Sequence, residues 1–280
     1  MKQRIIYILI SLVLPALQSS AQTIDEARAF ADSLYQAGNR ELALPVYQRV
    51  LFFHPSPVDP EILFRVAECF LFTGEIDQAL EYYDHSYFAQ TSDSLRNEIL
   101  FRKASCYITN HHFPYAQMEL LNLGDSLSRF FEQKCNIYLG ITWFGLSDFE
   151  KSESCFILAV HNPSTKAKIH NLFSNTKLLY HPNPKTASWL SVCLPGSGQI
   201  YSGEIGSGIN SLLLTGSFIG LGIYIAKTYA PIDAIFSALP WFQRYYQGGF
   251  QRAADLATMK RTKNRSRMFN EVLTLIAQEQ

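Results

Sequence analysis

The sequence lacks most of the patterns from which chemistry can be read. It has no G-x-x-x-x-G-K-[ST] loop, no dinucleotide-type glycine fingerprint, no H-E-x-x-H and no nucleophile elbow. That removes the phosphate cradles, zinc hydrolases and activated serines that spacing alone can reveal. Cysteine is sparse and unpaired: Cys69, Cys106, Cys135, Cys155 and Cys193 are odd in number, far apart, and contain no C-x-x-C pair. A disulfide framework and a zinc finger are thereby excluded, and buried thiols behaving as small apolar residues are expected instead. His111 and His112 are the one histidine cluster, too small for a metal site. Net charge is absent as well, with 24 basic and 24 acidic side chains. No enzyme activity, cofactor, metal, nucleic-acid partner or small-molecule substrate is expected.

The zero net charge conceals an asymmetry. Residues 22–182 carry 19 acidic against 13 basic side chains, whereas residues 183–280 carry 5 against 9, so the two parts face different surroundings. The chain opens with Met-Lys-Gln-Arg, an apolar stretch from Ile5 to Leu17, and Ser19-Ser20-Ala21. A basic start, a short apolar core and small residues before a cut predict a signal peptide over 1–21. The apolar stretch is short for a membrane anchor.

An internal repeat sets the expected fold. Glu61-Ile62-Leu63-Phe64-Arg65-x-Ala67-x-Cys69 recurs as Glu98-Ile99-Leu100-Phe101-Arg102-x-Ala104-x-Cys106. Extending the register places turns at Gly38, Gly74, His111 and Ser147. Before each turn comes a helix with a small residue (Ala31, Ala67, Ala104, Gly140). After each comes a helix pairing a small residue with a large one: Ala43 with Tyr47, Ala79 with Tyr83, Ala116 with Leu120, Ser152 with Phe156. Small residues let helices approach while large ones fill the groove between them. The pattern resembles the tetratricopeptide repeat over about residues 24–164, best from Ala31 to Pro55, with His111 and Ser152 departing from its consensus. The resemblance implies an all-α solenoid of four helical hairpins whose first helices line a concave face. Partner-binding candidates on that face are Tyr35, Glu61, Phe64, Glu68, Phe72, Glu98 and Phe101. Phe64 and Phe101 either anchor a partner there or pack between repeats. Ser164 to Tyr180 reads as a capping helix, and His181-Pro182-Asn183-Pro184 as the end of a repeat domain spanning 22–182.

From Thr186 the composition changes. Ile209 to Ala226 is apolar and uncharged, which at 1.5 Å per residue nearly matches a hydrocarbon core of roughly 30 Å. Gly216, Gly220 and Gly222 offer a smooth face for another helix. Ala230 to Tyr246, containing Asp233 and Pro240 and ending in Trp241, Tyr245 and Tyr246, is either a second span or a surface helix. Arg252 to Arg267 holds six basic residues and one acid, suited to anionic lipid. A membrane domain over 183–250 and a basic tail over 251–280 follow. The tail raises a conflict, because positive charge favours the cytoplasm whereas a hairpin returns it to the side of the repeats. The run Leu194-Pro-Gly-x-Gly-Gln-x-Tyr-x-Gly resembles a family of small bacterial membrane domains carrying a Pro-Gly-x-Gly-Gln-x-Tyr signature. The match rests on Pro195, Gly196, Gly198, Gln199, Tyr201 and Gly203, and implies a transmembrane helical hairpin with a glycine-rich turn packed on it near the interface.

Together these readings imply an inner-membrane protein of the bacterial envelope with its repeats in the periplasm. Two functions fit. The repeats are an adaptor for a protein or peptide segment in envelope assembly or maintenance, or the membrane domain acts on lipid or on membrane-protein insertion while the repeats recruit it.

Overall fold

The structure is a computed structural model describing residues 23–53, 59–124 and 127–279. The expected signal peptide over 1–21 and Pro55 lie outside these residues. Among the described residues the fold is all-helical, with fifteen helices and no strand. Contacts divide the chain into two compact units meeting at Ser147 and Asp148.

The first unit holds α1 (Ile24–Gln36), α2 (Arg40–Phe53), α3 (Pro60–Thr73), α4 (Ile76–Ala89), α5 (Asp93–Thr109), α6 (Phe113–Leu121) and α7 (Arg129–Gly145). Each helix packs on the next, and α5 also touches α7. Local signals start the helices. Thr23 and Glu26 form a reciprocal capping box on α1, and Asp59 accepts the Glu61 N–H at 2.8 Å ahead of Pro60 on α3. Left-handed backbone occurs at Gly38, Gly74, His111 and Ser147, the four positions read as turns. At the first two, glycine adopts positive φ without a Cβ penalty, whereas His111 and Ser147 bear that strain. Ala31, Ala67, Ala104, Ala43, Ala79 and Ala116 have no exposed surface, and Tyr47 and Tyr83 are equally buried beside them. Close backbone approach with an aromatic wedge is thus the packing rule of this unit.

The second unit holds α8 (Phe149–Ala159), α9 (Pro163–Ser174), α10 (Thr176–Tyr180), α11 (Pro184–Cys193), α12 (Ser197–Tyr201), α13 (Ile205–Thr228), α14 (Pro231–Ser237) and α15 (Leu239–Ala277). Several expectations change here. The expected capping helix is two helices, α9 and α10, broken at Asn175. Ala230 to Tyr246 is not one helix but α14 plus the first turns of α15, because Pro240 has no N–H to continue the helical ladder and the two helices meet at Ala238. Asp233 occupies the first turn of α14, where the positive helix end favours it.

The basic stretch is no separate tail either, since α15 runs unbroken for 39 residues. It buries Ala253, Ala257, Met268, Val272 and Ile276 on one side and packs against α9, α10, α11 and α12. Phe269 lies 6.5 Å from Phe156, Arg265 Nε donates to the Leu179 carbonyl at 2.7 Å, and Glu279 accepts from the Asn162 N–H at 2.6 Å. Those contacts tie the end of the chain to α8, α9 and α10. The Pro182–Pro184 break therefore falls inside the second unit.

Helix α13 is long and apolar enough to cross a membrane, and of its residues only Gly208 and Thr215 are buried. Of the three glycines read as a smooth face, Gly222 has a close neighbour, with the Ala238 Cβ 3.5 Å from where its own would lie, while Gly216 and Gly220 face open space.

Candidate functional site

The first unit opens a cleft of about 600 Å³ between α3 and α5, lined also by Ser86 of α4 and by Gln90 just after it. Phe64, Leu95 and Ile99 supply apolar wall, and Asp59, Glu61, Glu98 and Arg102 the charge. Three of the seven expected partner-binding residues, Glu61, Phe64 and Glu98, meet here. Phe64 rests edge-on against Tyr83 with centroids 5.7 Å apart.

The other four lie elsewhere. Phe101 is 1% exposed, covered by Phe131 and Tyr138 of α7 at 5.8 and 5.4 Å, so it is core and cannot reach a partner. Glu68 is also buried, accepting from the Tyr83 hydroxyl at 2.5 Å and facing Arg102 at 3.5 Å. Burial, then the Glu68 carboxylate, pushes the Tyr83 hydroxyl far above its ordinary value. Tyr35 is half-buried beside Tyr47. Phe72 is exposed under the Arg40 guanidinium at 5.5 Å.

Charges along this face neutralise one another. Arg65 bridges Asp32 and Glu61, Arg28 holds Asp59 at 2.7 Å, and Glu98 lies between Arg102 and Lys134 at 3.4 and 2.6 Å. Such a ladder fixes side-chain directions more than it adds stability. Sequence spacing missed Asp59, Ser86, Gln90 and Leu95, which come from a cap, from the end of α4 and from the first turns of α5. No periodic signal marks residues that meet only through the turn between helices.

The glycine-rich run forms a buried junction in the second unit. Gly196 has positive φ, and a Cβ there would lie 2.1 Å from the Gly208 carbonyl oxygen; one on Gly198 would lie 1.8 Å from that of Ala187. Only glycine fits either place. Gln199, 1% exposed, accepts from the Ser191 hydroxyl at 2.9 Å and donates to the Gly249 carbonyl at 2.8 Å. The Tyr201 hydroxyl accepts the Asn183 N–H at 3.2 Å, and Gly203 turns the chain out of α12 with φ of 88°. Pro195 precedes this turn. The motif thus joins α11, α12, α13 and α15 by backbone contact and one buried amide, an arrangement that builds a scaffold.

Among the described residues no group of three or more His, Cys, Asp or Glu side chains is placed to hold a metal ion. The two sites define an all-helical protein with a partly apolar cleft in one unit and, in the other, one helix able to cross a membrane. Comparison with protein-family models, curated proteins and solved structures returned no match.

Proposed function

We propose that this chain is a membrane-tethered adaptor of the bacterial envelope. Its tetratricopeptide-like helical pairs hold a protein or peptide segment in the periplasm, and α13 with the returning α14–α15 segment anchors it in the inner membrane. The observation that carries this reading is the α3–α5 cleft, which pairs an aromatic-aliphatic wall with a rim of Asp59, Glu61 and Glu98, each held in an ion pair. A peptide with an apolar anchor complements the wall, and its polar neighbours meet a rim whose charges are already balanced. The recurrence of left-handed turns at Gly38, Gly74, His111 and Ser147 supports the repeat reading, with the fourth pair divided between the two units.

A photocrosslinking residue at Leu95, which is 53% exposed at the cleft, tests this in cells carrying the full chain. A discrete adduct is expected, weakened by Phe64→Ala by an amount corresponding to about 2 kcal/mol, as for an interface hot spot. Circular dichroism should show the helical content unchanged. An adduct from Met118 on α6 with none from Leu95 would place the partner elsewhere. The second reading, in which the membrane part acts on lipid, is favoured by a polar cleft beside α13.

A further inference from the structure

In the second unit, α13 and α15 part to leave a cleft of about 360 Å³ beside the glycine-rich junction. Ser207, Asn210 and Ser211 line it from α13, and Arg244 and Arg252 from α15. Gly248 and Gly249, between the two arginines, leave the floor without side chains. Among the described residues neither guanidinium has an acidic partner. Arg244 also sits among Trp241, Tyr245 and Tyr246, aromatic residues of the kind that gather at a membrane interface, where lipid headgroups lie. On the outer side of α13, at the same level, Ile209, Leu212 and Leu213 are exposed.

We propose that this cleft holds the phosphate of an anionic phospholipid, with Arg244 and Arg252 as its cationic contacts and Asn210, Ser207 and Ser211 facing the polar headgroup. Guanidinium groups match phosphate oxygens in a two-pronged geometry, and hydroxyl and amide groups hydrogen-bond a headgroup's own hydroxyls. The acyl chains lie along the exposed apolar side of α13, which a free phosphate would leave uncovered. The proposal rests on the reading of α13 as membrane-embedded.

The test reconstitutes the full chain in nanodiscs of phosphatidylcholine and phosphatidylglycerol, extracts it into detergent, and measures retained phosphatidylglycerol by native mass spectrometry. The R244Q/R252Q variant should retain at least tenfold less than the wild type, since the loss of even one charge-assisted contact lowers affinity by about that factor. K263Q/R267Q makes the same charge change further along α15 and should retain the wild-type amount. R244K/R252K keeps the charge without the forked geometry and should fall between, which guards against a folding artefact. Equal loss in K263Q/R267Q and R244Q/R252Q, or no loss in either, overturns the site. Complete displacement of the lipid by millimolar inorganic phosphate assigns the cleft to a soluble anion and overturns the lipid. Carbonate extraction of native membranes separates the two readings. Wild-type chain in the soluble fraction sinks membrane embedding and this proposal together, whereas chain in the pellet with lipid retention indifferent to Arg244 and Arg252 sinks only the headgroup site.

Discussion

Burial governs the thiols. Cys69 and Cys106 are buried in the first unit, and desolvation raises both to about 11. Folded protein therefore keeps them protonated where an unfolded chain has begun to ionise. The unfolded state then holds fewer protons, so stability of the first unit should fall as pH rises from the ordinary thiol value toward about 11, and not at lower pH. Maleimide labelling at pH 8, read residue by residue, should modify exposed Cys193 first and reach Cys69 and Cys106 only in denaturant. Rapid native labelling of either would contradict their burial. At the same scale, Phe64 and Phe101 occupy matching places in two copies of one string, yet only Phe64 borders a cleft. The string announces helix and inner face: Ile62 with Ile99 and Ala67 with Ala104 share near-zero exposure. It says nothing of Phe131 and Tyr138, which cover Phe101 from a helix further along the chain. Side-chain exposure in stacked helices belongs to the neighbour as much as to the residue.

Among the elements, α15 is the one that sequence patterning divided wrongly. The cluster of Trp241, Tyr245 and Tyr246 and the shift to basic composition read as the end of a membrane segment and the start of a tail, whereas packing keeps the helix continuous. The Tyr246 hydroxyl donates to the Val192 carbonyl at 2.7 Å, Gln199 holds Gly249, and Ala253 and Ala257 cluster with Ala187. The glycine-rich run was legible as a motif because only glycine tolerates those approaches, but its buried amide at Gln199 has partners on other helices that no spacing reveals. Further along, Met268 is 1% exposed, and Ile169 and Phe173 of α9 are similarly buried in the same unit. Met268→Ala should destabilise the second unit by about 2–5 kcal/mol, the range for a large-to-small core change, measured by denaturant unfolding. A loss below about 0.5 kcal/mol, typical of surface sites, would show that this end of α15 is not held.

At the scale of the whole molecule the second unit bears on the membrane arrangement. Helices α8 to α12 precede α13, the C-terminal half of α15 follows it, and the two stretches pack together. With α13 in the bilayer, as proposed, segments in contact lie on one side of it, so an even number of crossings between them is expected, with the basic residues on the side of α8 to α12. Cysteine placed at Ser266 in a background without native thiols should react with a reagent that passes the outer but not the inner membrane. Labelling only after the inner membrane is broken would reverse that assignment.

Because α15 fastens at Gln199 near one end and, through Glu279, at the start of α9 near the other, the proposed hairpin stands on two feet. A force drawing it away from α8 to α12 does not peel contacts one at a time from a free end. The load divides between the chain leaving α12 and the long flank of α15, which slides past α9, α10 and α11 in shear. Many side chains must then yield together, and the join between membrane part and body resists mechanical pull more than its equilibrium stability alone would indicate.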